Sequence, residues 1–236
     1  MAVETPTARL VDAHALSYTA ATRHEFLSRV AAAGEAGDVA FDRWLAEDFH
    51  FVVAYLKFIS ILLARAPTEN LGDRTEPIVA GFLTAIENIS KEAQFFRSAA
   101  AEMRIPLSYS SSSLTPSTAR YLAFLDRVAT ESTWPEALLV LWAVERIYLD
   151  SWTFAAESMP LKKGKYERFV RHWANAEFAE FVQWLEDLAD AELRGKLTPK
   201  MDELFKTVVE LEIAFWDSAV AEGAKEMYAD EQARTR

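Results

Sequence analysis

The chain has 236 residues, a formal net charge of −11 and no cysteine. The acidic balance argues against holding nucleic acid or an anionic membrane through a general electrostatic field. The missing thiol removes disulfides, thiolate metal sites and cysteine nucleophiles. The start of the sequence lacks a basic segment followed by an apolar one, so no signal peptide is expected. The longest apolar stretch, Phe49 to Leu63, is interrupted by His50 and Lys57 and is too short to span a bilayer. A cytoplasmic protein is expected, with no membrane or nucleic-acid partner. A chain of this length can bury a sizeable core without staples, and no long linker divides it, so one domain over 1–236 is expected.

The apolar period stays close to 3.6 residues almost throughout. It predicts helices over 8–32 (with a bend), 41–65, 74–103, 116–131, 134–157, 164–193 and 198–225. Gly34 and Gly37 are read as the break after the first, and Pro67 follows the second. Pro106 stops the third, because the residue before a proline is pushed out of the α region. The Ser-rich run Ser108–Ser113 reads as a solvated connector, with a lid as the alternative. Thr115-Pro116 and Thr198-Pro199 each pair an N-cap residue with proline at the first helical position. Thr133 caps the fifth helix, with Pro135 in its first turn, and the polar tail from Ala224 is expected to fray. No strand alternation is visible. The fold class is all-α, a compact multi-helix bundle.

Within this pattern three acids lie at the centre of apolar helix faces. The positions three, four and seven away from Asp48 are Phe41, Trp44, Leu45, Phe51, Val52 and Tyr55. Around Glu145 they are Leu138, Leu141, Trp142, Tyr148, Leu149 and Trp152. Around Glu212 they are Phe205, Val208, Val209, Phe215, Trp216 and Ala219. An unpaired carboxylate there costs on the order of several kcal/mol in desolvation. By contrast, Glu210 has mostly polar same-face neighbours, and Glu47 stands beside Arg43 and His50. These two read as solvated. Each of the three misplaced acids could be neutralised by an arginine in the core. The alternative is one shared polar pocket with aromatic walls. In such a pocket burial and mutual repulsion raise carboxyl pKa values, which suits proton exchange near neutral pH. A further carboxylate can take the hydrogen-bonding edge of a stacked heterocycle.

Other chemistry is thin. Glu47 and His50 form a single E-x-x-H, where di-metal carboxylate bundles use two. No cofactor and no metal are expected. His24 reads as a hydrogen-bonding core residue with no assigned partner. No G-x-S-x-G, P-loop or G-x-G-x-x-G is present.

Five segments carry a resemblance: YTAATRHEF (18–26), FDRWLAEDFHFV (41–52), LWAVERIYLDSW (141–152), RHWANAEF (171–178) and VVELEIAFW (208–216). Together they resemble the TenA family of thiamin-salvage enzymes (thiaminase II), which share the haem oxygenase-like helical fold. The likeness is greatest to the TenA-E branch, which lacks the active-site cysteine. The resemblance implies that Asp48 binds an aminopyrimidine ring and that Glu212, four residues before Trp216, is a catalytic acid/base. It puts Phe51 and Trp173 at pocket positions where the cysteine branch has tyrosines. That branch carries P-C-x-W on the fifth helix. Aligning on Trp142 puts Val140 at the cysteine position, so cleavage of thiamin through a covalent adduct is in doubt. In the cysteine-free branch a glutamate on this helix takes over part of the work, and Glu145 is the candidate. The expected activity is hydrolysis of 4-amino-5-aminomethyl-2-methylpyrimidine, or of its N-formyl derivative, to the hydroxymethyl compound. Glu145 and Glu212 would be catalytic, and Asp48, Phe51, Trp142, Trp173 and Trp216 would bind the pyrimidine. A homo-oligomer, dimer or tetramer, is implied. Two alternatives stand beside this: a metal-dependent oxidase using Glu47 and His50, and a non-catalytic pyrimidine-binding protein.

Overall fold

The computed structural model describes residues 4–32, 35–67, 75–107, 114–159 and 166–221. Among them are ten α-helices and no strand. The Ser-rich run and the C-terminal tail lie outside the described residues.

The first expected helix is three short ones, α1 (Pro6–Ala13), α2 (Ala15–Thr22) and α3 (Glu25–Ala32). A histidine stands at each break. The His14 ring, at the α1–α2 corner, bonds Asp202 through Nε2 at 3.0 Å. The His24 ring uses Nδ1 to accept the Phe26 N–H at 3.2 Å, which leaves Nε2 to donate to Asp217 at 3.1 Å. A ring that takes a backbone N–H competes with the helix for it. Nearby, the Tyr18 hydroxyl donates to Asp150 at 2.6 Å and Arg23 lies over the Phe154 ring. The segment 18–26 is thus a clamp on two later helices.

The long helix α4 (Glu35–Arg65) begins six residues before the expected 41, and Gly37 lies inside it rather than in a break. α5 (Thr75–Met103) ends as Arg104 enters the left-handed region at φ 59°, and the Ile105 N–H bonds back to the Ala100 carbonyl at 2.8 Å. α6 (Pro116–Glu131) and α7 (Trp134–Ser158) start where expected. Thr115 Oγ accepts the Thr118 N–H, and Glu136 accepts the Thr133 N–H at 2.8 Å.

The helix expected over 164–193 is broken into α8 (Glu167–Trp173) and α9 (Ala176–Leu193). Asn175 adopts extended backbone and its side-chain oxygen caps α9 at the Phe178 N–H, 2.8 Å. α10 (Pro199–Val220) stops short of the expected 225, and Arg43 donates to the Ala221 carbonyl at 2.7 Å. A cation at a helix C-terminus offsets the exposed carbonyls.

α7 is the central helix, packed against α2, α3, α4, α6, α8, α9 and α10, and most of its apolar residues are buried. The core is one cluster to which all ten helices contribute. Among the described residues no helix is long and apolar enough to cross a membrane.

Candidate active site

A cavity of about 430 Å³ opens between α4, α5, α7 and the α8–α9 corner. Asp48, Phe51 and Tyr55 come from α4, Glu92 and Phe95 from α5, Glu145 and Tyr148 from α7, and Trp173 and Phe178 from α8 and α9. The Asn175 break gives this wall its shape, because it turns α9 away just after Trp173 and lets residues from both helices face inward.

Besides the exposed Glu177, four carboxyls gather in or behind the cavity, and three of them accept from a neutral donor. The Tyr148 hydroxyl donates to Asp48 Oδ2 at 2.8 Å. The Tyr121 hydroxyl donates to Glu212 Oε1 at 2.6 Å. The Trp173 indole N–H donates to Glu92 Oε1 at 3.1 Å. The Tyr55 hydroxyl, which donates to the Leu141 carbonyl at 3.5 Å, lies close enough to Glu145 to favour its ionised form. Among the described residues no arginine, lysine or histidine forms an ion pair with any of the four. Neutralisation by core arginines is therefore not the arrangement.

The electrostatics follow. Burial pushes the Glu145 carboxyl up to about 8, helped by the neighbouring charges of Glu92 and Glu212, against the pull of the Tyr55 hydroxyl. Burial alone raises Glu92 and Glu212 to about 7, with the Trp173 and Tyr121 bonds opposing it. Asp48 is raised well above the usual carboxylate range, by burial first and by Glu92 next. Four carboxyls so close together do not all ionise at neutral pH, so the site stores protons.

The structure brings Asp48, Phe51, Glu145 and Trp173 onto the cavity wall. Glu212, Trp142 and Trp216 are not among the lining residues. Glu212 stands behind Phe51, whose ring packs edge-on against Tyr121 at 4.9 Å. Trp216 stacks between Phe26 and Tyr148, at 5.1 and 6.0 Å, and backs the wall. Trp142 points elsewhere, stacking on Phe205 at 5.8 Å and donating its N–H to Glu186 at 3.3 Å. It lies about 60° round α7 from Glu145, on the side opposite Tyr148, and the cavity is on the Tyr148 side.

Glu92 is the enclosed cavity carboxyl that the sequence reading missed, along with the lining rings of Tyr55, Phe95, Tyr148 and Phe178. The signal for Glu92 was there: positions three, four and seven away are Ala85, Asn88, Ile89, Phe95, Phe96 and Ala99, with Asn88 the one polar neighbour. Glu47 is a correction of the opposite kind. It is buried, not solvated, and accepts from the Thr115 N–H and hydroxyl at 3.0 to 3.3 Å. Those bonds occupy the carboxylate that the oxidase reading needs. Among the described residues no three His, Asp or Glu side chains are grouped as a metal ion requires.

The model of the TENA/THI-4/PQQC family matches residues 11–222. A Glycine max protein named "Probable bifunctional TENA-E protein" is 25% identical over 210 residues, covering 86% of this chain and 88% of its own length. A TenA homologue of Pyrococcus furiosus superposes with a TM-score of 0.77 at 27% identity, over 89% of this chain and 98% of that one. A TenA homologue from Pyrococcus horikoshii matches with a TM-score of 0.77 over 92% and 98%, and at 16% identity it speaks for the fold alone. With the family model matched over residues 11–222 and an all-α haem oxygenase-like fold, the chain belongs to the TENA/THI-4/PQQC family.

Proposed function

We propose that this protein is an aminopyrimidine hydrolase of thiamin salvage, working by carboxylate acid/base chemistry. One observation carries the reading: proton-holding carboxyls face an aromatic-walled cavity in a chain with no thiol. Its volume of about 430 Å³ suits a small heterocycle. The Glycine max relative named as a TENA-E protein supports the branch, and with Val140 at the position the resemblance gives to the cysteine, and no cysteine in the chain, the covalent thiol route is removed.

Asp48 receives the ring through its amino and ring-nitrogen edge, with Tyr148 holding the carboxyl in place. Phe51 and Trp173 flank the ring. Water then forms a bond from its oxygen to the exocyclic methylene carbon. The carbon–nitrogen bond breaks, its electron pair leaves with nitrogen, and ammonia departs. Water gives up one proton, which balances the one the departing nitrogen carries away as ammonia, and Glu145 and Glu212 share that transfer. Glu145 faces the ligand, whereas Glu212 acts from behind Phe51, where its charge is felt at Asp48 and Glu145. A carboxyl near 7 or 8 can hold or release a proton at neutral pH, as this work demands.

The test is to incubate purified protein with 4-amino-5-aminomethyl-2-methylpyrimidine and measure ammonia and the hydroxymethyl product. Turnover that falls sharply in Glu145→Gln and Glu212→Gln is expected. No turnover by the parent protein, or unchanged turnover in Glu212→Gln, overturns the mechanism. Tight binding without product identifies a binding protein instead.

A further inference from the structure

Glu92 has no role in the chemistry just described, yet it is built into the same cavity. It lines the wall from α5, opposite Glu145 on α7 and close enough that its charge is the largest felt at both Asp48 and Glu145. The Trp173 indole fixes Oε1, and no described side chain holds Oε2. The donor is neutral, so the protein leaves the charge of Glu92 unanswered. Other polar groups on this wall do not supply a cation. Lys91 reaches its exposed rim but is paired with Glu87 at 2.7 Å. His172 stacks on Phe95 at 4.5 Å, and burial lowers its proton affinity. In its ionised form an acid of this kind, on an aromatic-walled cavity, lacks a counter-ion, which a bound ligand can bring.

We propose that Glu92 is a specificity residue that binds the exocyclic group of the substrate as an ammonium ion, so the cavity prefers the charged aminomethyl pyrimidine to its neutral N-formyl derivative. This rests on the pyrimidine reading above and decides between the two substrates it admits. The assignment is by chemistry and exclusion. Asp48 is committed to the ring edge and Glu145 to the reacting group, and Glu177 is exposed to solvent, which leaves Glu92 as the remaining enclosed carboxyl on the wall. A primary ammonium offers three donors and a full charge to Oε2. A formamide offers one weaker N–H and no charge, and it sets a carbonyl oxygen in a field of carboxylates. An amine held as ammonium also reaches the reaction already protonated, so breaking the carbon–nitrogen bond releases neutral ammonia directly.

The experiment compares the full chain and Glu92→Gln on three ligands: the aminomethyl pyrimidine, its N-formyl derivative and the neutral hydroxymethyl product. Charge-assisted binding predicts that the variant loses about 10- to 100-fold in kcat/KM on the amine, mostly through KM. Its kcat/KM on the N-formyl compound and its affinity for the hydroxymethyl compound, measured by calorimetry, should stay within about threefold. The hydroxymethyl arm also reports that the variant is folded. Equal losses on charged and neutral ligands overturn the proposal, as does an undiminished preference for the amine. A second measurement needs no variant. As competitive inhibitors of the parent protein, 4-amino-5-(2-aminoethyl)-2-methylpyrimidine should bind more tightly than neutral 4-amino-2,5-dimethylpyrimidine, and equal affinities overturn the assignment. A parent protein that binds none of these pyrimidines refutes the function itself, and the role of Glu92 with it.

Discussion

The bond from Tyr148 to Asp48 shows how much rests on one hydroxyl. Asp48 is 2% exposed and has no cationic partner among the described residues. Tyr148→Phe removes its donor without changing the packing much. Losing a bond to a buried carboxyl is expected to cost about 1.5 to 3 kcal/mol, measurable by denaturant unfolding near neutral pH. The same change raises the proton affinity of Asp48 further, so a limb of the pH–rate profile that depends on its ionised form should move to higher pH. At this scale the sequence was informative about which acids are misplaced, because a helix turns every residue by a fixed angle and apolar neighbours betray a buried face. Asp48, Glu145 and Glu212 were legible in this way, and Glu92 was legible by the same rule. The partners were not. Tyr121 reaches Glu212 across 91 positions of sequence, and periodicity within one helix carries no information about what faces it from another.

Helix ends were legible wherever a cap is written in side chains. Thr115-Pro116, Thr133 and Thr198-Pro199 begin helices at the expected places. The breaks at His14, His24 and Asn175 escaped, because at each of them a ring or amide bonds a distant acid or its own backbone. Two predictions belong to elements. Asn175→Ala removes the α9 cap and should cost about 1 kcal/mol by thermal or denaturant unfolding. Gly81→Ala is the sharper case. A methyl in mid-helix ordinarily gains about 1 kcal/mol over glycine. Here the new Cβ would stand 2.2 Å from the Trp184 ring, where α5 meets α9. Trp184 is itself packed against Phe82 and Phe181, so the clash decides the sign. Overpacking of this kind predicts a net loss of about 1 to 3 kcal/mol, read as a lower unfolding midpoint.

For the whole molecule, the pooled acids make stability depend on pH in an unusual direction. Glu92, Glu145 and Glu212 move from an ordinary 4.5 to about 7, 8 and 7 on folding. Between those values the folded protein binds more protons than the unfolded chain, so stability falls as pH rises. The contribution is whole below about pH 4.5 and is lost as pH climbs through 7 to 8. Melting temperature should therefore decline over this window in the empty protein. In Glu212→Gln the decline should be shallower by on the order of 3 kcal/mol, so the variant gains stability at high pH while losing activity. An equal slope in parent and variant contradicts this account. The global architecture was readable as all-α from the 3.6-residue period alone, whereas the inter-helix cavity has no signature in any one helix. Its indole carries a last consequence. Trp173 offers its N–H to Glu92, an acid that ionises near neutrality on the cavity wall. The molecule thus has an optical reporter: Trp173 fluorescence should titrate with Glu92, and a cationic ligand should shift that titration to lower pH.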